Sequence, residues 1–118
     1  MEIYKKFSFD SAHYLPNLPS DHKCRRMHGH TFYITLFVKG NVDPKIGWIK
    51  DFYEIKQLFQ PIHDELDHQV LNDIKGLENP TSEHLAKWVW DKMKIVLPEL
   101  SKVEVAETCT TGCFYEGR

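Results

Sequence analysis

Three histidines in this chain have the side-chain type and the spacing of a metal site. His28 and His30 are separated by Gly29 alone, and residues two apart in an extended strand point to the same face of a sheet. His13 comes at the end of an earlier strand-like segment. Three imidazoles that leave a fourth position open are the ligand set of a catalytic zinc site. The sequence therefore predicts a zinc ion bound by these three histidines.

A cysteine next to this pair decides what kind of metal site it would be. Cys24 comes shortly before His28 and is flanked by Lys23, Arg25 and Arg26. Nearby cations stabilise a thiolate and raise its reactivity. If the thiolate binds the metal, the site is closed and structural; if it does not, the site is open and catalytic. Both interpretations stand at this stage. The three cations could also contact phosphate groups.

Three further polar residues could take part in chemistry. Asp67 precedes His68, and this pair fits either a carboxylate-supported histidine that transfers protons or a solvated helix end. Glu107 follows Val105 and Ala106 in a strand-like segment. A buried carboxylate needs a partner, and a ligand with two parallel N–H donors would suit it. Otherwise Glu107 faces outward into solvent.

Composition limits the classes of function. The chain has 118 residues, a formal net charge of -2 and a pI of about 6.4, so no basic field points to a nucleic-acid partner. No apolar run is long enough to cross a membrane, and the first residues lack the apolar segment of a signal peptide. With 3 cysteines, an odd number, a disulfide framework is not expected. We therefore expect one cytoplasmic domain over residues 1–118, with neither nucleic-acid nor membrane partners.

Two strands position the histidines. Residues 3–13 and the segment that runs from the histidine pair to Lys39 alternate between apolar and polar side chains, which is typical of strands with one buried face. Consecutive strands joined by a loop most often pair antiparallel. That pairing brings His13 beside His28 and His30. The loop between the two strands then places Cys24 close to the three histidines.

Two helices follow. Asp51 has the position of a helix N-cap, with Glu54 as its capping-box partner. Pro61 lies inside the helical pattern and is predicted to kink or interrupt the helix. Thr81 is the predicted N-cap of the second helix, which ends at Pro98.

The chain ends in two more strands. Residues 102–110 alternate again, Thr111 and Gly112 form a turn, and residues 113–115 form a short fourth strand. The predicted class is therefore α+β, with the order β-β-α-α-β-β. So small a sheet has two exposed edges, which must be covered or paired, so we expect association between subunits.

These motifs together resemble the 6-pyruvoyl-tetrahydropterin synthase family, and most closely its bacterial 6-carboxytetrahydropterin synthase branch, which belongs to the queuosine pathway. The resemblance covers essentially the whole chain. The segments that carry it are Phe9-Asp10-Ser11-Ala12-His13, Cys24-x3-His28-Gly29-His30, Gly47-Trp48-Ile49-Lys50-Asp51-Phe52, Leu66-Asp67-His68, Leu71-Asn72, Glu78-Asn79-Pro80-Thr81-Ser82-Glu83 and Glu107-Thr108-Cys109-Thr110-Thr111-Gly112-Cys113.

The resemblance implies a T-fold (tunnelling fold), a four-stranded antiparallel sheet with two helices on one face. It implies homotrimers stacked into hexamers with active sites at the subunit interfaces. It also implies roles for single residues: the three histidines would hold zinc, Cys24 would be the catalytic base, His68 with Asp67 would be the second proton-transfer group, and Glu107 would anchor a pterin ring.

The reaction implied is the conversion of 7,8-dihydroneopterin triphosphate to 6-carboxy-5,6,7,8-tetrahydropterin, with loss of acetaldehyde and triphosphate. Lys23, Arg25 and Arg26 are the candidate contacts for the triphosphate, on charge and loop position. Two alternatives stay open. One is 6-pyruvoyl-tetrahydropterin synthase activity, which uses the same substrate and keeps the side-chain carbons. The other is a non-catalytic binding module in which Cys24 closes the zinc site.

Overall fold

The computed structural model describes all residues from 1 to 118. It contains four strands and two long helices, with short 3-10 turns at Lys23–Arg25 and Leu71–Asp73. No helix is both long and apolar enough to cross a membrane. The elements in chain order are β1 (Glu2–His13), β2 (His28–Lys39), α1 (Phe52–Leu66), α2 (Ser82–Val96), β3 (Leu100–Ala106) and β4 (Gly112–Tyr115).

The four strands form one antiparallel sheet in the order β1-β2-β3-β4. The predicted α+β T-fold arrangement, with the order β-β-α-α-β-β, is confirmed. The register pairs His13 with His28 and Ser11 with His30, as the antiparallel prediction requires.

The core lies between the helices and one face of the sheet. The side chains of each strand alternate between the two faces, and the residues that point to the core are fully buried in the middle of the sheet: Phe32, Ile34, Leu36 and Val38 of β2, and Val103 and Val105 of β3. The opposite face carries exposed rings, among them Tyr4, Tyr33 and Phe114. The largest fully buried side chains are Phe32, Ile34, Leu36, Ile55, Phe59, Leu66, Leu71, Leu77, Leu85, Met93, Leu97 and Leu100.

The predicted N-caps of both helices are confirmed, but one capping box is not. The Asp51 side chain accepts a hydrogen bond from the Tyr53 N–H at 2.9 Å. Glu54 does not bond back to the cap; its carboxylate lies 3.4 Å from the Lys50 ammonium instead. An ion pair with Lys50, which lies just before the N-cap, replaces the expected backbone contact.

Pro61 does not interrupt α1, because the helix runs from Phe52 to Leu66 with Pro61 inside it. A kink at Pro61, the other predicted outcome, stays a prediction. The buried side chains of Phe59 and Leu66 hold the turns on both sides of the proline against the sheet. Pro61 itself is exposed. Since a proline leaves one carbonyl of the preceding turn without its donor, an exposed position lets water supply the missing hydrogen bond.

The third strand is shorter at its end than predicted. It stops at Ala106, and residues 107–110 bend away before β4. Side-chain hydrogen bonds of Thr108 hold the bend, because its Oγ1 lies 2.7 Å from Thr111 Oγ1 and accepts from the Thr110 N–H at 3.3 Å. Glu107 is therefore the first residue after the strand rather than a member of it.

The chain that follows α1 covers one end of the outer edge of β1. His68 donates its N–H to the Asp10 carbonyl at 2.7 Å, and Ala12 donates its N–H to the Gln69 carbonyl at 2.9 Å. Val70 completes a parallel bridge with Ala12. The rest of β1 and the outer edge of β4 have no strand beside them, so association between subunits stays a prediction.

Candidate active site

The three predicted metal ligands converge at one end of the sheet. One ligand nitrogen from each of His13, His28 and His30 lies within 4.8 Å of the other two. The ring centroid of His13 is 4.6 Å from that of His28 and 5.2 Å from that of His30. His13 is buried, and the other two rings are half-buried. The predicted convergence of three imidazoles is confirmed.

Backbone carbonyls fix two of the imidazoles in the state that binds metal. His13 Nδ1 lies 2.8 Å from the Pro80 carbonyl oxygen, and His28 Nδ1 lies 2.7 Å from that of Arg26. A carbonyl can only accept, so Nδ1 carries the proton and Nε2 keeps its lone pair in both rings. Such contacts orient the ligands of metal sites.

The His13 ring offers the clearest sign that a cation fits here. Its Nε2 is buried and has no hydrogen-bond partner, and an unpaired buried polar atom is costly. Burial also lowers the pKa of His13 below its usual value, which keeps the ring neutral. A neutral, fixed and unpaired imidazole nitrogen beside two others is a donor set that suits a zinc ion.

Cys24 lies outside this histidine cluster. It sits, half-buried, in the 3-10 turn Lys23–Arg25. Its N–H donates to His22 Nδ1 at 3.1 Å, and its carbonyl accepts from the Leu15 N–H at 2.8 Å. The contact with Leu15 holds the loop against the residues that follow β1, and the contact with the His22 side chain caps the turn. The group of side chains that could bind a metal ion therefore consists of histidines alone.

The three cations around Cys24 are exposed and differ in their contacts. Arg25 donates from Nη1 to the Leu18 carbonyl at 2.8 Å and so braces the loop. The side chains of Lys23 and Arg26 form no hydrogen bond or ion pair within the chain. Lys23 and Arg26 are therefore the cations with all their donors free.

Asp67 and His68 form a hydrogen-bonded pair. His68 Nδ1 lies 2.8 Å from Asp67 Oδ2, and Asp67 Oδ1 accepts from the Asp10 N–H at 3.0 Å. The Asp67 carboxylate raises the pKa of His68, while the Asp10 N–H and then His68 itself lower the pKa of Asp67. The imidazole is exposed, and it lines a shallow cleft that His30 also lines. The hydrogen bond between the two side chains is the one that the proton-transfer interpretation requires, and the role of the pair stays a prediction.

His68 has an unusual backbone conformation. Its φ is 57°, the one positive value among the non-glycine residues, and such a conformation costs about 1–3 kcal/mol. Ser11 of β1 holds the chain on both sides of His68, because its Oγ donates to the Leu66 carbonyl and accepts from the Gln69 N–H. The sequence analysis did not predict this role. A polar residue on the buried face near the end of β1, Ser11, was the available signal.

Glu107 faces the histidine cluster rather than solvent. Its Oε2 lies 3.7 Å from His30 Nε2, and its Oε1 accepts from the Ser82 hydroxyl at 2.9 Å. About a quarter of its side chain is exposed, 23%. The positive end of the α2 dipole, where Ser82 lies, also favours a carboxylate. The outward-facing alternative for Glu107 is therefore wrong.

The start of α2 holds two parts of the site at once. Pro80 accepts from His13, and Ser82, two residues later, donates to Glu107. Neither contact follows from spacing along the chain, since the partners are 67 and 25 residues apart. The motif that contains both residues was the sole sequence signal for them.

Fold and site together define a class of protein: an α+β sheet with two helices on one face, and three histidines that could hold a metal ion beside an Asp–His pair and a glutamate. The model of the 6-pyruvoyl tetrahydropterin synthase family matches residues 2–118. The chain belongs to this family.

Named relatives agree with this assignment. A Synechocystis protein named 6-carboxy-5,6,7,8-tetrahydropterin synthase is 42% identical over 96% of this chain and 91% of its own length. A Pyrococcus furiosus protein named dihydroneopterin monophosphate aldolase is 34% identical over 81% of this chain and 77% of its own length. The solved structure of Caenorhabditis elegans 6-pyruvoyl tetrahydropterin synthase has a TM-score of 0.91 and 28% identity, and the match covers 100% of this chain and 96% of that one.

Proposed function

We propose that this chain is a zinc-dependent lyase, a 6-carboxy-5,6,7,8-tetrahydropterin synthase of queuosine biosynthesis. Its substrate is 7,8-dihydroneopterin triphosphate, and it releases acetaldehyde and triphosphate. The observation that carries the proposal is the unpartnered, buried Nε2 of His13 within a histidine cluster that excludes Cys24. The name of the Synechocystis relative supports the choice of product.

The histidine cluster supplies the electrophile. Zinc bound to His13, His28 and His30 would act as a Lewis acid that lowers the pKa of the substrate's side-chain hydroxyls. The chain's own contribution is to keep three neutral nitrogens aimed at one point, through the Pro80 and Arg26 carbonyls.

Two groups move the protons. Cys24 acts as the base that removes a side-chain proton, because it lies near the cluster in sequence and outside the group of side chains that could bind the metal. His68 acts from the cleft that it shares with His30. Since Asp67 binds the Nδ1–H, the Nε2 of His68 is the atom that gives and takes the proton.

Glu107 anchors the pterin ring. Its two oxygens can accept from the 2-amino group and the adjacent ring N–H in a charge-assisted, bidentate contact. Ser82 occupies one lone pair of Oε1, which leaves the others for the ligand. The same contact fixes the carboxylate plane, so the ring has one orientation beside His30.

Lys23 and Arg26, with their donors free, receive the triphosphate, and Arg25 shapes the loop that carries them. We further propose that the enzyme is a homohexamer of stacked trimers with interfacial active sites. The unpaired edges of β1 and β4 support association of this kind. Its location is cytoplasmic, in keeping with three free cysteines.

Product analysis distinguishes the proposed activity from the alternative activities. Zinc-loaded protein is incubated with 7,8-dihydroneopterin triphosphate, and the products are identified by mass spectrometry. The proposal predicts acetaldehyde, triphosphate and the carboxylated pterin. Triphosphate without acetaldehyde would establish 6-pyruvoyl-tetrahydropterin synthase activity instead. Turnover of the monophosphate alone would favour the aldolase named for the Pyrococcus relative, and no turnover with either would favour a binding module.

A further inference from the structure

Asp10 of β1 holds the Asp67–His68 pair through its backbone, and none of the steps proposed above uses its side chain. The Asp10 N–H donates to Asp67 Oδ1 at 3.0 Å, and the Asp10 carbonyl accepts from the His68 N–H at 2.7 Å. The other carboxylate oxygen of Asp67, Oδ2, lies 2.8 Å from His68 Nδ1. One strand residue therefore contacts both members of the pair at once.

The side chain of Asp10 is fixed separately, by the neighbouring strand β2. Asp10 and Thr31 lie opposite each other in the antiparallel register, and Thr31 Oγ1 donates to Asp10 Oδ1 at 2.6 Å. A hydroxyl–carboxylate contact of this length is typical of a charge-assisted hydrogen bond. Asp10 Oδ2 has no hydrogen bond or ion pair within the chain. The carboxylate is therefore anchored through one oxygen and free at the other.

This carboxylate belongs to the same cleft as the imidazole of the pair. Asp10 and Thr31 line the shallow cleft that His30 and His68 also line. Asp10 is exposed, and no cation of the chain neutralises it. Its negative charge is therefore available to the groups that face the cleft, and strand pairing alone would not require that charge.

Two carboxylates consequently act on His68. The hydrogen bond from Asp67 raises the pKa of His68 above its usual value, and the charge of Asp10 adds to the increase. The other titratable groups nearby are His30 on the cleft wall and His63 of α1, which lowers the pKa of Asp67. No hydrogen bond or ring contact joins His68 to the histidine cluster. A negative charge beside an imidazole favours its protonated form.

We propose that Asp10 is a positioning residue of the proton-transfer pair: its carboxylate, anchored by Thr31, is a second negative charge that keeps the His68 imidazole protonated and able to donate. The inference rests on the proposed function and deepens it, because it concerns the proton that His68 supplies. The backbone of Asp10 determines where the imidazole lies, and the side chain determines how firmly the imidazole holds its proton.

The test is the titration of the His68 imidazole in the zinc-loaded protein, followed by NMR with isotope-labelled histidine and assigned with His68→Gln. Asp10→Asn keeps both backbone contacts and an acceptor for Thr31, and it removes the charge. The midpoint of His68 is expected to move to lower pH, by less than in Asp67→Asn, because Asp10 forms no hydrogen bond to the ring. The shift should shrink at high salt, since salt screens exposed charges.

A control and a double variant separate this charge effect from a structural one. Asp91→Asn, exposed on α2 and outside the cleft, should leave the midpoint unchanged. If Asp10 acts by its own charge, adding Asp10→Asn to Asp67→Asn lowers the midpoint again. If Asp10 acts only by holding Asp67, the second substitution changes nothing, and the proposal is overturned.

Turnover of the same samples connects the titration to the reaction. The high-pH limb of kcat/KM is expected to move to lower pH in Asp10→Asn, as the midpoint does. An unchanged midpoint in Asp10→Asn would overturn the proposal, and so would a midpoint shift that leaves the pH profile of an active enzyme unmoved. A zinc-loaded wild type without turnover would contradict the proposed function instead, and the NMR titration would still decide whether Asp10 acts on His68.

Discussion

His13 Nδ1 lies 2.8 Å from the carbonyl oxygen of Pro80, 67 residues further along the chain. The contact ties the end of β1 to the residue before the N-cap of α2. It also leaves Nε2 as the nitrogen that must find a partner, and no protein atom provides one. The Pro80 carbonyl, as well as the histidines themselves, thus prepares the cluster to bind a cation.

Removal of the metal is expected to destabilise the protein, because a ligand that binds only the folded chain stabilises it. A ligand at about 100 times its Kd contributes about 2.7 kcal/mol. Thermal unfolding of the zinc-loaded protein with and without a chelator measures the effect. His13→Ala should abolish the difference, whereas His63→Ala, outside the cluster, should retain it. Equal melting temperatures with and without chelator would count against a metal site.

Asp67→Asn is expected to move the high-pH limb of kcat/KM to lower pH. Asp67 raises the pKa of His68 above 6.5, so the imidazole stays protonated, and able to donate, to higher pH than a free one. Without the carboxylate the pKa returns toward about 6.5, and activity is lost earlier as the pH rises. Asp64→Asn is the control, since Asp64 lies beside His63 instead. An unchanged profile would remove His68 from the proton transfers.

Glu107→Gln is expected to weaken pterin binding by about 10- to 100-fold, the loss of a charge-assisted hydrogen bond. Zinc content should be unchanged, because Glu107 lies outside the metal-ligating group. Substrate affinity is measured by titration and zinc by elemental analysis. Glu65→Gln, an exposed position on α1, is the control. Normal affinity in Glu107→Gln would mean that another residue holds the ring.

Lys23→Ala and Arg26→Ala are expected to raise the KM for the triphosphate substrate, and the effect should shrink as salt screens the charges. Arg25→Ala should also change the loop, because it removes the contact with the Leu18 carbonyl. Lys45→Ala, in the turn after β2, is the control. If affinity is unchanged in all three variants of the loop, these cations do not receive the triphosphate.

The sheet and the convergence of the three histidines could be predicted from the sequence, because both depend on local periodicity. Side chains alternate along β2, and one antiparallel pairing then places His13 opposite His28. The two N-caps were equally readable, since Asp51 and Thr81 bond to backbone groups within three residues.

The features that the sequence did not predict depend on the solvent exposure of side chains or on contacts between residues far apart in the chain. A proline usually interrupts a helix, but α1 continues through Pro61 because the turns around it are buried. The local sequence pattern does not reveal that burial. Glu107 leaves the strand because Thr108 side-chain bonds hold the bend. Ser82 is tied to Glu107 by an ordinary hydroxyl, which no spacing rule distinguishes from any other serine.

The most direct test of the account is the zinc content and turnover of Cys24→Ala, compared with Cys109→Ala as a control for an exposed thiol. If the three histidines alone hold the ion and Cys24 moves a proton, Cys24→Ala keeps one zinc per chain and loses turnover of 7,8-dihydroneopterin triphosphate. Loss of zinc from Cys24→Ala would show instead that the sulfur closes the coordination sphere, and the catalytic assignment would then be contradicted.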